Sequence, residues 1–283
     1  MAIEKSLPYD EYAKRPGVNG SLLKIVDSKS LKHAKAYIDG IGDEESDALE
    51  TGTSFHALLL EGRSDYVIHP ATYPHRGDKS RGIAPGDPAP WNSTAAHCKE
   101  WIAEQGGKSI YSKAEADDIE AMVESAKSAL GISFEGEREL SIFAERDGLP
   151  VKARLDFLPS DPSAPIIDFK SCLDANPQKF LKQAIDKGYH LSCAWHMDVA
   201  RLAGIERKEF WLVGIEKKAP FVTCILKFKD VPLSFLRVGR RRARAAFQKL
   251  KIAHENNEWP GYGNQFAEDH AMPWMMPELE ATA

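Results

Sequence analysis

Val151-Lys152-Ala153-Arg154-Leu155-Asp156-Phe157 and, after a short turn, Pro165-Ile166-Ile167-Asp168-Phe169-Lys170 decide how this chain reads. Side chains along a strand alternate between its two faces. Val151, Ala153, Leu155 and Phe157 therefore predict one apolar face, with Lys152, Arg154 and Asp156 on the other. In the second run Ile167 and Phe169 share a face, and Asp168 and Lys170 share the opposite one. Ser160-Asp161-Pro162-Ser163, between the two, is turn chemistry. Paired as neighbours with their apolar faces in the core, the strands would bring Arg154, Asp156, Asp168 and Lys170 onto one surface.

Two carboxylates at short range repel unless a cation sits between them. Oxygen donors favour Mg2+, with Mn2+ as an alternative. Such a cation polarises a phosphodiester and activates an attacking water. Lys170, two residues beyond Asp168 on the same face, can orient that water, or take its proton if its own pKa is depressed. The same residues also fit a plain hairpin closed by Asp156, with Asp168 and Lys170 on a solvated face. An isolated Asp-x-Lys does not separate the two.

Outward from this pair, the spacing predicts strands at 139–146, 208–216 and 220–228. It predicts helices at 176–186, 190–203 and 232–254. Upstream, helices are expected over 19–38 with Ser21 as N-cap, over 50–61, and near 92–105 and 113–130, with a short strand at Tyr66-Val67-Ile68. Prolines 70, 74, 85, 88 and 90 with Gly77, Gly82 and Gly86 predict a long loop over 70–90. The expected fold is α/β (α+β), a central mixed sheet flanked by helices with a mainly helical N-terminal part, in a single domain with an irregular tail from 257.

The chain has 283 residues, 43% of them apolar, so a large core can form. Lys plus Arg is 37 and Asp plus Glu is 42, a formal charge of −5, so any nucleic-acid surface must be a local concentration of positive charge. No apolar run is long enough for a bilayer, and the N-terminal residues lack a signal peptide's pattern. The expectation is a cytoplasmic protein with no membrane partner. Cys98, Cys172, Cys193 and Cys224 have no metal-ligand spacing and read as free thiols.

Arg154-Leu155-Asp156-Phe157 followed by Ile166-Ile167-Asp168-Phe169-Lys170-Ser171 resembles the PD-(D/E)xK nuclease signature, and more narrowly that of the exonuclease VIII (RecE-type) enzymes of phages and prophages. Gly52-Thr53-Ser54-Phe55-His56-Ala57-Leu58-Leu59-Leu60-Glu61 is similar to that family's G-T-x-x-H-x-x-x-L-E segment. Ser21-Leu22-Leu23-Lys24 with Ser30 to Tyr37, Glu139-Leu140-Ser141-Ile142-Phe143, Trp259-Pro260-Gly261-Tyr262 and Pro273-Trp274 resemble further family segments. The resemblance covers roughly residues 18–275. It implies a restriction-endonuclease-like core. It implies His56, Asp156, Asp168 and the Phe169 carbonyl as metal ligands, and Lys170 as the catalytic lysine. Glu139 is implied as a strand glutamate close to them. His56 by itself, among Phe55, Leu58, Leu59 and Leu60, reads more simply as a core histidine. The resemblance further implies 5′-to-3′ digestion of linear duplex DNA from its ends, leaving 3′ single strands. It implies a ring-like homo-oligomer working with a single-strand annealing recombinase, encoded by a phage or its bacterial host. One position departs from the pattern: Ser192 and His196 stand where related enzymes often carry Q-x-x-x-Y. Four apart on one helix, they remain candidates for touching DNA or ordering the lysine.

Arg237 to Lys251 holds seven basic residues and no acidic one. A buried stripe of Leu236, Ala243, Phe247 and Leu250 would leave Arg237, Arg240, Arg241 and Arg244 outside, as a phosphate-contacting wall or a solvated face. Loop 75–81 is a second basic candidate, and Arg154 a third. Other readings on the same core are an endonuclease, a single-strand exonuclease, or a DNA-binding protein without catalysis.

Overall fold

The computed structural model describes residues 1–41 and 47–262. The Pro273-Trp274 segment lies outside them. In chain order the elements are β1 (Ala2–Glu4), α1 (Tyr9–Lys14), α2 (Gly20–Ser28), α3 (Leu31–Ile38) and α4 (Asp47–His56), which runs into a turn of π-helix, Ala57–Glu61. Then come β2 (Tyr66–Ile68), β3 (Thr72–Pro74), a 3-10 turn at Lys79–Arg81, β4 (Pro88–Pro90), α5 (Ala96–Glu104), β5 (Ser109–Tyr111) and α6 (Lys113–Leu130). The core follows as β6 (Gly136–Arg146), β7 (Leu149–Pro159), β8 (Ile166–Cys172), α7 (Pro177–Asp186), α8 (Tyr189–Leu202), β9 (Glu209–Glu216), β10 (Thr223–Lys229) and α9 (Phe235–Asn256).

One six-stranded mixed sheet, ordered β1-β6-β7-β8-β9-β10, forms the centre. Its β8–β9 pair is parallel and its other neighbours are antiparallel. Parallel neighbours need a crossover, and α7 with α8 supplies it. Two apolar layers cover the sheet. Residues of α2, α7, α8 and α9 pack on Leu140, Ile142, Ala153, Ile166 and Leu212. Phe55, Leu59, Leu60 and the α6 stripe pack on Phe157, Ile167, Phe169 and Val213. A sheet covered on both sides leaves no open polar face, so the expected surface of Asp156, Asp168 and Lys170 lies at the rim of a helix layer.

The strict alternation expected for β7 fails at one place. Leu155 belongs to the first layer and Phe157 to the second. The change occurs at Asp156, where β7 and β8 also part: their ladder is the single pair Phe157 and Ile167.

Local chemistry accounts for several boundaries. The helix expected over 19–38 is two helices. Asn19, rather than Ser21, caps the first, its Oδ1 accepting from Leu22 N at 2.8 Å. Ser30 caps the second. Ser112 and Glu115 form a reciprocal capping box on α6, whose C-cap Gly131 adopts φ +64°. The proline-rich stretch carries the pair β3–β4, Thr72 facing Pro90. At Gly239 the backbones of α8 and α9 meet: a Cβ there would lie 2.0 Å from the His190 carbonyl oxygen.

Candidate active site

Where β7 leaves β8, Asp156 replaces the missing ladder bond with its side chain. Its Oδ2 accepts a hydrogen bond from Phe169 N at 2.9 Å. Next along β8, Lys170 ion-pairs with Asp168, lies 3.9 Å from Asp156 Oδ2 and donates to the Phe169 carbonyl at 3.0 Å. Asp168 is buried. Burial alone would raise its carboxyl, but Lys170, with His196 and His56, holds it below the usual carboxylate range. Burial likewise works against the Lys170 ammonium, yet Asp168 and Asp156 raise its pKa above the usual lysine value. This lysine is therefore a retained cation; the structure does not depress its pKa, as proton abstraction would need.

Opposite Asp156 stands Glu139. Arg138 pairs with Phe157 and Leu140 with Leu155, which places Glu139 directly across the ladder from Asp156. Glu139 has φ +52°, a left-handed conformation inside a strand. Such strain persists only where surroundings impose it, and it clusters at functional sites. Like charges directly opposite are unfavourable. Burial, then the Asp156 charge, push the Glu139 carboxyl up to about 7, against the opposing effect of Arg154. Arg154 ion-pairs with Glu139, and its Nη1 donates to the Leu7 carbonyl at 2.6 Å.

His56 reaches the same point from the other layer. It ends α4, just before the π-turn, with Phe55 fully buried beside it. Its Nδ1 lies 3.7 Å from Asp156 Oδ2. Burial lowers the imidazole pKa, against the pull of Asp156, and a neutral ring can donate a lone pair to a metal. Donor atoms of His56, Glu139 and Asp156 all lie within 4.8 Å of one another. Two carboxylates in enforced opposition, with a neutral imidazole beside them, are a donor set that fits a divalent cation. Asp168 is not in this trio; it is next to it, held by Lys170. Glu139, the residue whose role was least defined by sequence, is in it. Alternation along its strand carries no signal, and only the family resemblance of its segment put it near the site; the backbone strain that marks it is visible only in three dimensions.

Helices α8 and α2 roof the Asp168 side. His196 feels the charges of Asp168 and Asp156, but burial dominates and lowers its pKa. Its Nδ1 is buried without a hydrogen-bond partner among the described residues. Ser192 faces α2 instead: a Cβ on Gly20 would lie 3.1 Å from its Oγ. Tyr189 lies under two ammonium groups, Lys170 Nζ at 5.8 Å and Lys24 Nζ at 5.6 Å from its ring centroid.

Residues 20–268, which include every side chain just placed, match the family described as PDDEXK-like domain of unknown function (DUF3799). This chain belongs to that family. Among solved structures, the domain is similar to a "putative exonuclease" from Eubacterium rectale, with a TM-score of 0.62, 15% identity and 99% of each chain covered. At that identity the likeness shows a shared fold, the restriction-endonuclease-like core. No curated protein matches the chain.

The basic helix of this PDDEXK-like domain differs from expectation. Arg240 is 8% exposed and belongs to the interior: its Nε bonds Asp198 at 2.7 Å and its Nη1 bonds Asp230 at 2.8 Å. Arg237 is exposed but also reaches Asp230, at 3.3 Å. Arg241 and Arg244 are exposed too, so of the four only Arg240 departs from the place expected of it. Arg154 is nearly buried and engaged with Glu139 and Leu7, which leaves it shaping the site. In loop 75–81, Arg76 and Lys79 are exposed. Among the described residues, no helix is long and apolar enough to cross a membrane.

Proposed function

We propose that this chain is a divalent-metal-dependent exodeoxyribonuclease of the exonuclease VIII type. In this reading it digests linear duplex DNA 5′-to-3′ from its ends and leaves 3′ single strands for recombination. Mg2+ is the expected ion, with Mn2+ able to replace it. The convergence of His56, Glu139 and Asp156 donors within 4.8 Å, beside the Asp168–Lys170 pair, carries the proposal. The name given to the Eubacterium rectale protein supports the exonuclease arm. A ring-like homo-oligomer and a single-strand annealing recombinase as partner belong to the same reading and rest on the sequence resemblance. So does a cytoplasmic location in a bacterial host.

A bound divalent cation supplies polarisation of the phosphodiester and neutralisation of the leaving oxygen. His56, Glu139, Asp156 and the Phe169 carbonyl would hold it, with Asp168 adjacent. The rest falls to the chain. Asp156 holds the Asp168–Phe169 peptide through the Phe169 N–H, and Lys170 donates to the Phe169 carbonyl on the next peptide. Arg154 keeps Glu139 in position and opposes its protonation. Lys170, anchored by Asp168, presents an ammonium where charge builds on phosphate oxygens, a preorganised electrostatic role.

End-labelled linear duplex and covalently closed circular duplex, each with Mg2+, Mn2+ or EDTA, test the proposal. The expected result is loss of the linear DNA alone, only with metal. Equal attack on the circle would make the protein an endonuclease. Undiminished cleavage in excess EDTA would remove the metal. Tight DNA binding without cleavage in any ion would favour the non-catalytic reading.

A further inference from the structure

Lys24, Lys152 and Lys170 are all drawn at least partly out of solvent, and the last two are accounted for. Lys152 donates to the carbonyls of Tyr12, Ala13 and Arg15 at 2.8, 3.1 and 2.6 Å, so it ties α1 to the sheet. Lys170 has Asp168 and Asp156. The ammonium of Lys24, from α2, has no carboxylate within ion-pair distance and no hydrogen bond among the described residues. Its stem runs past Gly188, where a Cβ would come within 3.1 Å of its Cγ. Its Nζ ends over the Tyr189 ring that Lys170 also approaches. Burial, then the Lys170 charge, lower its pKa, with Asp168 acting in the opposite sense. A half-buried cation without a counter-charge is costly. Here it is aimed at the edge of a site that must receive a polyanion.

We propose that Lys24 binds a phosphate of the DNA strand, next to the phosphate being cleaved, on the α2–α8 side of the site. This rests on the nuclease reading. Tyr189 then serves as the shared floor, its ring attracting both ammonium groups and separating them so that each meets a different phosphate. Ser21-Leu22-Leu23-Lys24 lies on a helix whose Leu22 and Leu23 are buried. That places Lys24 firmly and limits the entropy lost when it engages.

The test is anisotropy of a fluorescein-labelled blunt duplex, with Ca2+ in place of Mg2+, over a range of NaCl. Wild type, Lys24→Met and Lys24→Arg are compared, with thermal melts on the same samples. Met keeps the apolar stem and removes the charge. The expected result is weaker binding for Lys24→Met and a log–log salt slope shallower by about 0.9, the value for one duplex phosphate no longer neutralised. Lys24→Arg should keep the wild-type slope. A folded Lys24→Met with an unchanged slope would overturn the proposal and make Lys24 a packing residue. If Lys24→Met does not fold, a Lys24→Gln variant is read in the same way. Wild type that binds no duplex would instead defeat the nuclease reading itself.

Discussion

Asp168 and Lys170 each depend on the other, and that decides what their variants do. On an exposed strand face Asp168 would be dispensable to the fold. Buried and paired with Lys170, it is not. Removing one partner of a buried ion pair costs about 3–5 kcal/mol, and Lys170 keeps only the more distant Asp156 at 3.9 Å to offset this. Asp168→Asn should therefore abolish cleavage and also lower the denaturation midpoint, measured by urea unfolding. Unchanged stability would mean that the pair is not formed in solution. Lys170→Ala should also lower the midpoint, since it leaves the buried Asp168 carboxylate without its partner, but it should differ in binding. Its loss leaves the proposed metal donors in place, so Mn2+ and DNA should still bind, while single-turnover cleavage should fall by about 10²–10³-fold, the value of a lost electrostatic stabiliser. Lys170→Arg should restore little, because the planar guanidinium fork is larger than the ammonium it replaces among Asp168, Asp156 and the Phe169 carbonyl. Wild-type cleavage by Lys170→Ala would place the chemistry elsewhere.

At the scale of elements, α9 sends its arginines two ways, Arg240 inward and Arg241 with Arg244 outward. Arg240→Gln should destabilise the protein by about 1.5–3 kcal/mol, the value of hydrogen bonds to charged groups, and leave the salt slope of DNA binding unchanged. Arg241→Gln with Arg244→Gln should do the reverse, lowering the slope by about 0.9 for each phosphate no longer neutralised. If the Arg240 variant alone flattened the slope, the inward assignment would be wrong. Gly239→Ala should cost at least about 1–3 kcal/mol, since the new Cβ meets backbone that cannot swing aside. These distinctions were not legible in sequence. The stripe Leu236, Ala243, Phe247 and Leu250 is buried, as its spacing predicts. Arg240 nevertheless lies at the stripe's edge, and only its neighbours Asp198 and Asp230, from α8 and the segment after β10, draw it inside. The core strands and α6 to α9 were legible because periodicity and caps agree there. Asp156, Asp168 and Lys170 were legible because they sit on consecutive strands joined by a clear turn. The Glu139 opposition to Asp156 was not, because register across a hairpin and a left-handed φ leave no mark in one sequence. The shift of apolar facing at Asp156 was hidden for the same reason: alternation is a rule for regular strands, and β7 is irregular where the site is built.

For the whole molecule, the opposed carboxylates of the site are only partly offset by Arg154 and Lys170, and a bound cation would relieve the rest. Glu139 and Asp156 face one another on a chain whose formal charge is already −5. A ligand that binds only the native state stabilises it, by about 2.7 kcal/mol at a hundred times its dissociation constant. Mn2+ should thus raise the melting temperature of wild type at low salt, and EDTA should reverse the gain. The trio itself is tested most directly by calorimetric titration of Mn2+ into wild type, Asp156→Asn and Glu139→Gln. Asn can still accept from Phe169 N–H, so the first variant keeps the local backbone while losing the charge. The expected result is saturable binding to wild type and at least about tenfold weaker binding in each variant, a difference of about 1.4 kcal/mol. Equal Mn2+ affinity in all three proteins would contradict the account.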